Sequence, residues 1–191
     1  MISRPRLLLH ICCAPCSTHV IDTLKENYDI TCFFYNPNIQ PKEEYILRSG
    51  EMEGLAQKMG VATLEGDYDV GEWFKAIKGL EDEPEGGKRC EICFRIRLEK
   101  TAEFAMDHGF QCFTTTLTIG PQKDAKLINS IGDELSRRYN VEFHQANFKK
   151  KDGFKKSVEL SKRYGLLRQN YCGCIFSKRE REAESISASD V

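Results

Sequence analysis

Three cysteines fall within five positions of the stretch His10-Ile11-Cys12-Cys13-Ala14-Pro15-Cys16, where an apolar run gives way to a helix-like segment. Nine cysteines occur in all. Cys32 and Cys112 sit among apolar strand-like neighbours, where a free thiol packs as a small hydrophobe. The other seven gather at loops or element ends as Cys12/Cys13/Cys16, Cys90/Cys93 and Cys172/Cys174. Cys90-Glu91-Ile92-Cys93 is a C-x-x-C at a helix start. There two thiolates can hold one metal centre while the helix amides offset their charge. Cys172-Gly173-Cys174 suits either a strained, labile disulfide eased by glycine or a pair of metal ligands. Seven thiols exceed the four of a structural zinc site, and iron–sulfur clusters draw their cysteines from variable spacings.

These thiols require a frame. Arg6 to Ile11, Ile30 to Tyr35, Val61 to Leu64, Phe110 to Thr118 and Val141 to His144 have strand character. Helical patterns fall between them: Ser17 to Tyr28 with Ser17 or Thr18 as N-cap, Glu43 to Met59, Val70 to Leu80, Glu91 to His108 and Gln122 to Tyr139. Phe154 to Tyr164 and a last helix to about Glu184 follow, with Ser185 to Val191 expected to fray. The alternation predicts a single α/β domain over residues 1–191, Rossmann-like. Its mostly parallel sheet of about five strands is flanked by helices, with cysteine clusters at the strand carboxyl ends, where such sheets place their functional crevice.

A chain of 191 residues can bury a substantial core. No run approaches the roughly 20 apolar residues of a membrane span. The opening residues lack a secretory pattern, so a cytoplasmic location is expected, where thiols stay reduced. The net charge of −1 hides an asymmetry. Lys149 to Arg181 carries eleven Lys or Arg against three acids, a balance of +8, which leaves −9 for the rest. Such a basic segment (149–184 in its helical part) suits either a solvated helix face or contact with a polyanion.

Other functional classes leave weaker marks. Cys13-Ala14-Pro15-Cys16 after a strand fits a thioredoxin-like thiol–disulfide oxidoreductase, which leaves Cys12 and four further loop thiols unused. A zinc-stabilised nucleic-acid-binding protein is the second alternative. Residues 12–18 contain no glycine, and G-x-G-x-x-G and P-loop patterns are absent, so neither NAD nor ATP binding is supported.

Several motifs occur in order: His10-Ile11-Cys12-Cys13-Ala14-Pro15-Cys16, Phe34-Tyr35-Asn36-Pro37-Asn38-Ile39, Gly87-Lys88-Arg89-Cys90-Glu91-Ile92-Cys93-Phe94, Thr114-Thr115-Thr116-Leu117 and Tyr171-Cys172-Gly173-Cys174. Together they resemble the cobalamin-independent epoxyqueuosine reductase family, QueH, from about residue 6 to 180. The resemblance implies an iron–sulfur oxidoreductase without cobalamin that acts at the last step of queuosine formation in tRNA. It would reduce the epoxide of epoxyqueuosine to an alkene, with two electrons and two protons taken up and oxygen lost as water. The family's thiol motifs fall on Cys12, Cys13, Cys90, Cys93, Cys172 and Cys174.

On that basis Cys12, Cys13, Cys90 and Cys93 are expected to hold a 4Fe–4S cluster. Cys172 and Cys174 are expected to act as a redox pair or to ligate a second, mononuclear iron, and Cys16 as a further ligand or a helix-start thiol. Tyr35, Glu44, Arg48 and His10 are candidate proton donors or polar contacts. Arg48, Arg89, Lys149, Lys150, Lys151, Lys155, Arg168, Lys178 and Arg179 are candidate tRNA contacts, with Phe148, Phe154 and Phe176 as stacking partners. With no nicotinamide or flavin pattern, electrons would come from an external low-potential donor, ferredoxin- or flavodoxin-like.

Overall fold

A computed structural model describes residues 3–189. The strands are β1 (Arg6–Ile11), β2 (Asp29–Phe34), β3 (Ala62–Glu65), β4 (Cys112–Thr115) and β5 (Glu142–Phe143). All pair in parallel, in the order β3-β2-β1-β4-β5. The helices are α1 (Ala14–Leu24), α2 (Lys42–Met59), α3 (Val70–Ala76), α4 (Lys88–Asp107), α5 (Ala125–Tyr139), α6 (Gly153–Arg163) and α7 (Ile175–Ser189).

Burial on both faces explains the unbroken apolar run of the central strand, because parallel sheets are covered by helices on each side. Leu7, Leu9 and Ile11 point into a cluster with Val20, Ile21, Met52 and Leu55 from α1 and α2. Leu8 points the other way, toward Phe94 and Leu98 of α4 and Ile128 and Leu135 of α5. Each such fully buried leucine contributes about 2 kcal/mol of apolar transfer free energy. Cys32 and Cys112 lie in the first cluster, 0% and 2% exposed, as their strand context predicts.

Several boundaries differ from the sequence pattern. Helix α1 begins at Ala14, not Ser17, with Cys13 as its N-cap and Pro15 in the first turn. Proline fits there because its missing N–H would have no helical partner. Ser17 and Thr18 are therefore inside the helix, and their hydroxyls donate back to the carbonyls of Cys13 (2.9 Å) and Pro15 (3.0 Å). The strand expected to reach Thr118 stops at Thr115. Its hydroxyl accepts from Leu117 N at 3.1 Å, and residues Thr116–Ile119 form a 3₁₀ turn. The segment from Ser185, expected to fray, continues α7 to Ser189; residues 190 and 191 lie outside the described residues.

Candidate functional site

The turn from β1 into α1 sets the first group of thiols. Cys12 N–H donates to Thr116 Oγ1 at 3.3 Å, which ties the turn to the end of β4. The Sγ atoms of Cys12, Cys13 and Cys16 lie within 4.8 Å of one another. Cys12 and Cys13 are 4.0 Å apart. Thiols this close cannot all ionise together. Donation from Cys13 and Cys16 holds the Cys12 thiol well below its ordinary range, assisted by the Arg97 charge and opposed by burial. The contact with Cys12, with burial, pushes Cys13 up, and contacts with Cys12 and Cys13 push Cys16 up.

A second group forms on the α4 side. Helical spacing puts Cys90, Cys93 and Arg97 on one face of α4. Cys90 and Cys93 line a hollow together with Cys172 and Cys174 from the loop before α7, closed by Trp73, Asn38, Phe94 and Ser177. Gly86 N–H donates to Cys90 Sγ at 3.2 Å and Ser177 N–H to Cys174 Sγ at 3.4 Å. Burial pushes the Cys90 and Cys93 thiols up and raises Cys174 to about 12. All nine cysteines are free thiols.

Polar side chains fix this second group. Lys123 Nζ stands 3.2 Å from Cys172 Sγ and 2.8 Å from Glu85 Oε1. Glu85 accepts from Ser177 Oγ at 2.9 Å, and Ser177 Oγ accepts from Cys172 N at 3.1 Å. The circuit closes around the Cys172-Gly173-Cys174 loop. Gly173 holds φ +117, and a Cβ there would meet Ile39 Cγ1 at 2.9 Å and Arg48 Nη1 at 3.0 Å. Glycine is thus required at the centre of the motif.

Arg97 connects the two groups. It is buried, donates to Asn36 Oδ1 at 2.6 Å and approaches Cys93 Sγ at 4.0 Å. The charges of Cys93, Cys12 and Cys172 hold its protonated form against burial. The guanidinium therefore stands between Cys12 of the first group and Cys93 and Cys172 of the second, beyond the carboxyl ends of β1, β2 and β4. Lys123, Glu85 and Trp73 are prominent only in the folded chain. Asn36 falls in the Phe34 to Ile39 motif, and Arg97 flanks the C-x-x-C four residues after Cys93, where the sequence alone already suits it to offsetting cluster charge.

The donor set suits an iron–sulfur group or another thiophilic metal, since thiolate is the soft ligand such centres select. A second observation agrees. Six buried side-chain polar atoms have no hydrogen-bond partner among the described residues, and five belong to Asn38, Trp73, Arg89 and Arg97 beside these thiols. Trp73 Nε1 lies where it favours the Cys93 thiolate. Four of the five are N–H donors, on Asn38, Trp73, Arg89 and Arg97, which an anionic sulfur-rich cluster takes up.

The remaining expected site residues separate into internal and external groups. Arg48, 2% exposed, pairs with Glu44 at 2.6 Å and donates to the carbonyls of Tyr171 and Cys172. Arg89, 1% exposed, donates to the carbonyls of Glu81 and Glu83 and pairs with Glu180. Arg168 donates to Ser157 and Ser161 hydroxyls over the Phe154 ring, and Lys149 to the carbonyls of Pro121 and Lys123. These four cations already hold loops in place. Phe148 lies in the core, and Phe176 packs under Arg89 and beside Trp73. Lys150, Lys151, Lys155 and Arg179 are exposed, and Lys178 reaches Glu182 at 4.0 Å.

His10 and Tyr35 meet at the carboxyl ends of β1 and β2. His10 is fully buried and bonded to Thr115 Oγ1 (2.8 Å) and the Tyr35 carbonyl (3.2 Å). Burial, with Arg97, lowers its pKa to about 3, so the ring is neutral near pH 7. The Tyr35 ring stacks on Phe33, and the charges around its hydroxyl are Asp69, Lys100, Asp67 and Glu103. Tyr35 also lies in the apolar cluster that contains Cys90, with Cys12 packed against it.

Comparison with known proteins follows the same motifs. Among solved structures, a predicted subunit of tRNA methyltransferase from Methanocaldococcus jannaschii shares the fold. It has a TM-score of 0.52 at 18% identity, over 80% of this chain and 76% of that one. A protein from Streptococcus pyogenes named epoxyqueuosine reductase QueH is 41% identical over 182 residues, 92% of this chain and 71% of its own. The Thermotoga maritima protein of the same name is 40% identical over 184 residues, 93% of this chain and 94% of its own. The family model described as epoxyqueuosine reductase QueH matches residues 7–180. The chain belongs to the epoxyqueuosine reductase QueH family.

Proposed function

We propose that this chain reduces the epoxide of epoxyqueuosine in tRNA to the alkene of queuosine, at an iron centre held by its clustered thiols. The observation that carries the proposal is the gathering of seven loop cysteines into two groups, Cys12/Cys13/Cys16 and Cys90/Cys93/Cys172/Cys174, with Arg97 between them. Cys12, Cys13, Cys90 and Cys93 would hold a 4Fe–4S cluster, which when bound supplies reducing electrons. Cys172 and Cys174 stand beside them as a redox pair. Arg97 and Lys123 offset negative charge, while Trp73 and Phe94 exclude water. Electrons would be delivered by a ferredoxin- or flavodoxin-like protein in the cytoplasm. No described helix is long and apolar enough to cross a membrane.

One observation favours a second division of the same thiols. Cys12, Cys13 and Cys16 are close enough to share one tetrahedral ion, for which metal–sulfur bonds are about 2.3 Å. Cys90, Cys93, Cys172 and Cys174 then form a four-thiol set around one hollow. Cys174→Ser separates the two. Under the first division the purified protein keeps its cluster absorbance and loses turnover; under the second it loses both.

The activity is tested by incubating epoxyqueuosine-containing tRNA with the anaerobic protein and a strong reductant, then digesting the tRNA for mass spectrometry. A loss of one oxygen atom from the modified nucleoside is expected. Unchanged epoxyqueuosine with iron-replete protein would contradict the proposal.

A further inference from the structure

The three hydroxyls of Thr114-Thr115-Thr116 have three different tasks. Thr114 Oγ1 donates to the His144 carbonyl at 2.8 Å. Thr115 Oγ1 meets His10 Nδ1 at 2.8 Å and accepts from Leu117 N at 3.1 Å, which ends β4 and turns the chain. The parallel register sets Thr115 beside His10, so Thr116 arrives at the turn that follows β1. There its Oγ1 lies 3.3 Å from Cys12 N and 3.5 Å from Cys12 Sγ.

These two contacts decide where the Thr116 proton goes. The backbone N–H of Cys12 can only donate, so Oγ1 accepts there and its own proton is left over. Thr116 is 0% exposed, so bulk water does not take that proton. Among the described residues the remaining partner is Cys12 Sγ. A sulfur that ligates a metal has lost its own proton and can only accept. Cys13 and Cys16 differ. Among the described residues no hydroxyl bonds either sulfur, and the neighbouring Ser17 hydroxyl donates to the Cys13 carbonyl instead. One sulfur of the first group is thus singled out by a neutral donor.

We propose that the Thr116 hydroxyl donates to the Cys12 thiolate in the metal-loaded protein and sets the reduction potential of the centre that Cys12 ligates. The proposal rests on the reading of these thiols as ligands of a redox-active iron centre. It holds for either division of them, because Cys12 is a ligand in both. A hydrogen bond to a ligating sulfur draws charge from it and favours the reduced, more negative state. Thr116 touches the ligand and not the substrate, so it is a positioning residue.

The test is potentiometric reduction of the anaerobic, iron-loaded protein, followed by visible absorbance and paramagnetic resonance. Thr116→Val keeps the shape of the side chain and removes the hydroxyl. Its reduction equilibrium is expected to fall about tenfold, a midpoint lower by about 59 mV for one electron. Thr116→Ser, which keeps the hydroxyl, is expected to stay near the wild type. Iron content and the urea midpoint are measured on each protein. Should the valine variant fail to fold, Thr116→Ala, which leaves space for a water at Cys12 N, takes its place in the same comparison. Equal midpoint potentials with and without the hydroxyl, or a shift in Thr116→Ser as large as in Thr116→Val, would overturn the proposal.

A second arm needs neither iron nor turnover. Cobalt(II) added to the apo-protein reports thiolate donation through its sulfur-to-cobalt charge-transfer band. Loss of the hydroxyl makes the Cys12 sulfur a stronger donor, and the band is expected to move to longer wavelength. An unmoved band would overturn the contact. A moved band in a protein that binds no iron would leave the Thr116–Cys12 contact standing and discard the iron-centre reading. Protein that binds neither metal would contradict both.

Discussion

Gly173 shows how tightly single residues determine the thiol geometry. Its φ of +117 and the 2.9 and 3.0 Å approaches of Ile39 and Arg48 leave no room for a methyl group. Gly173→Ala is expected to cost about 1–3 kcal/mol of stability through backbone strain and overpacking. It should also displace Cys172 and Cys174 from the hollow they line with Cys90 and Cys93. Urea unfolding checks the first effect; an unchanged midpoint would contradict it. Arg48 acts from the other side of the same loop, donating to the carbonyls of Tyr171 and Cys172. Its charge is consumed by Glu44 and by the loop, which explains why a residue that reads as a nucleic-acid contact is buried. Arg168 and Arg89 follow the same logic. A cation in a basic stretch is counted as surface charge until its internal acceptors are known.

At the level of elements, caps and local hydrogen bonds decide where helices and strands end. Asp124 accepts from the backbone N–H groups of Lys126 and Leu127 at 2.8 and 3.2 Å and so starts α5. Asp124→Ala is expected to destabilise the protein by about 1 kcal/mol, measured by thermal or urea unfolding. A loss below a few tenths would show that α5 is held by packing alone. Five strands in alternation with helices were legible because Leu7-Leu8-Leu9 and Ile30-Thr31-Cys32-Phe33-Phe34 carry β-branched or apolar runs between helical periods. The start of α1 was legible only in part. Ser17 and Thr18 carry the usual cap chemistry, but Pro15 had already set the first turn. The end of β4 was hidden by its composition, since Thr114 to Thr118 favours a strand throughout. The Thr115 hydroxyl diverts the backbone by bonding Leu117 N. The sequence marks the seven loop thiols and joins Cys12 and Cys13 to Cys90 and Cys93, whereas the folded chain sets Cys90 and Cys93 around one hollow with Cys172 and Cys174. Cys93 and Cys174 are far apart in sequence, and only the approach of α3, α4 and α7 brings them around Trp73.

Across the whole molecule, the parallel sheet sets its loops and their chemistry at one edge. Its carboxyl edge collects the thiols, Arg97 and the unpartnered N–H groups of Trp73 and Arg89, a dry site suited to a sulfur-rich metal centre. The loop between β5 and α6 carries Lys150 and Lys151, both exposed and without an ion-pair partner among the described residues. The α1–α6 contact connects the helix after this loop to the site: the Pro15 carbonyl accepts from the Ser157 hydroxyl at 2.9 Å, directly behind the first thiol turn. The account's central claim is that these thiols hold iron and sulfide. It is tested most directly by measuring the iron and acid-labile sulfide of anaerobically purified wild-type protein beside Cys90→Ser. The account predicts iron with sulfide in the wild type and loss of both in the variant. Zinc alone or no metal in the wild type, or a full complement of iron in Cys90→Ser, would contradict it.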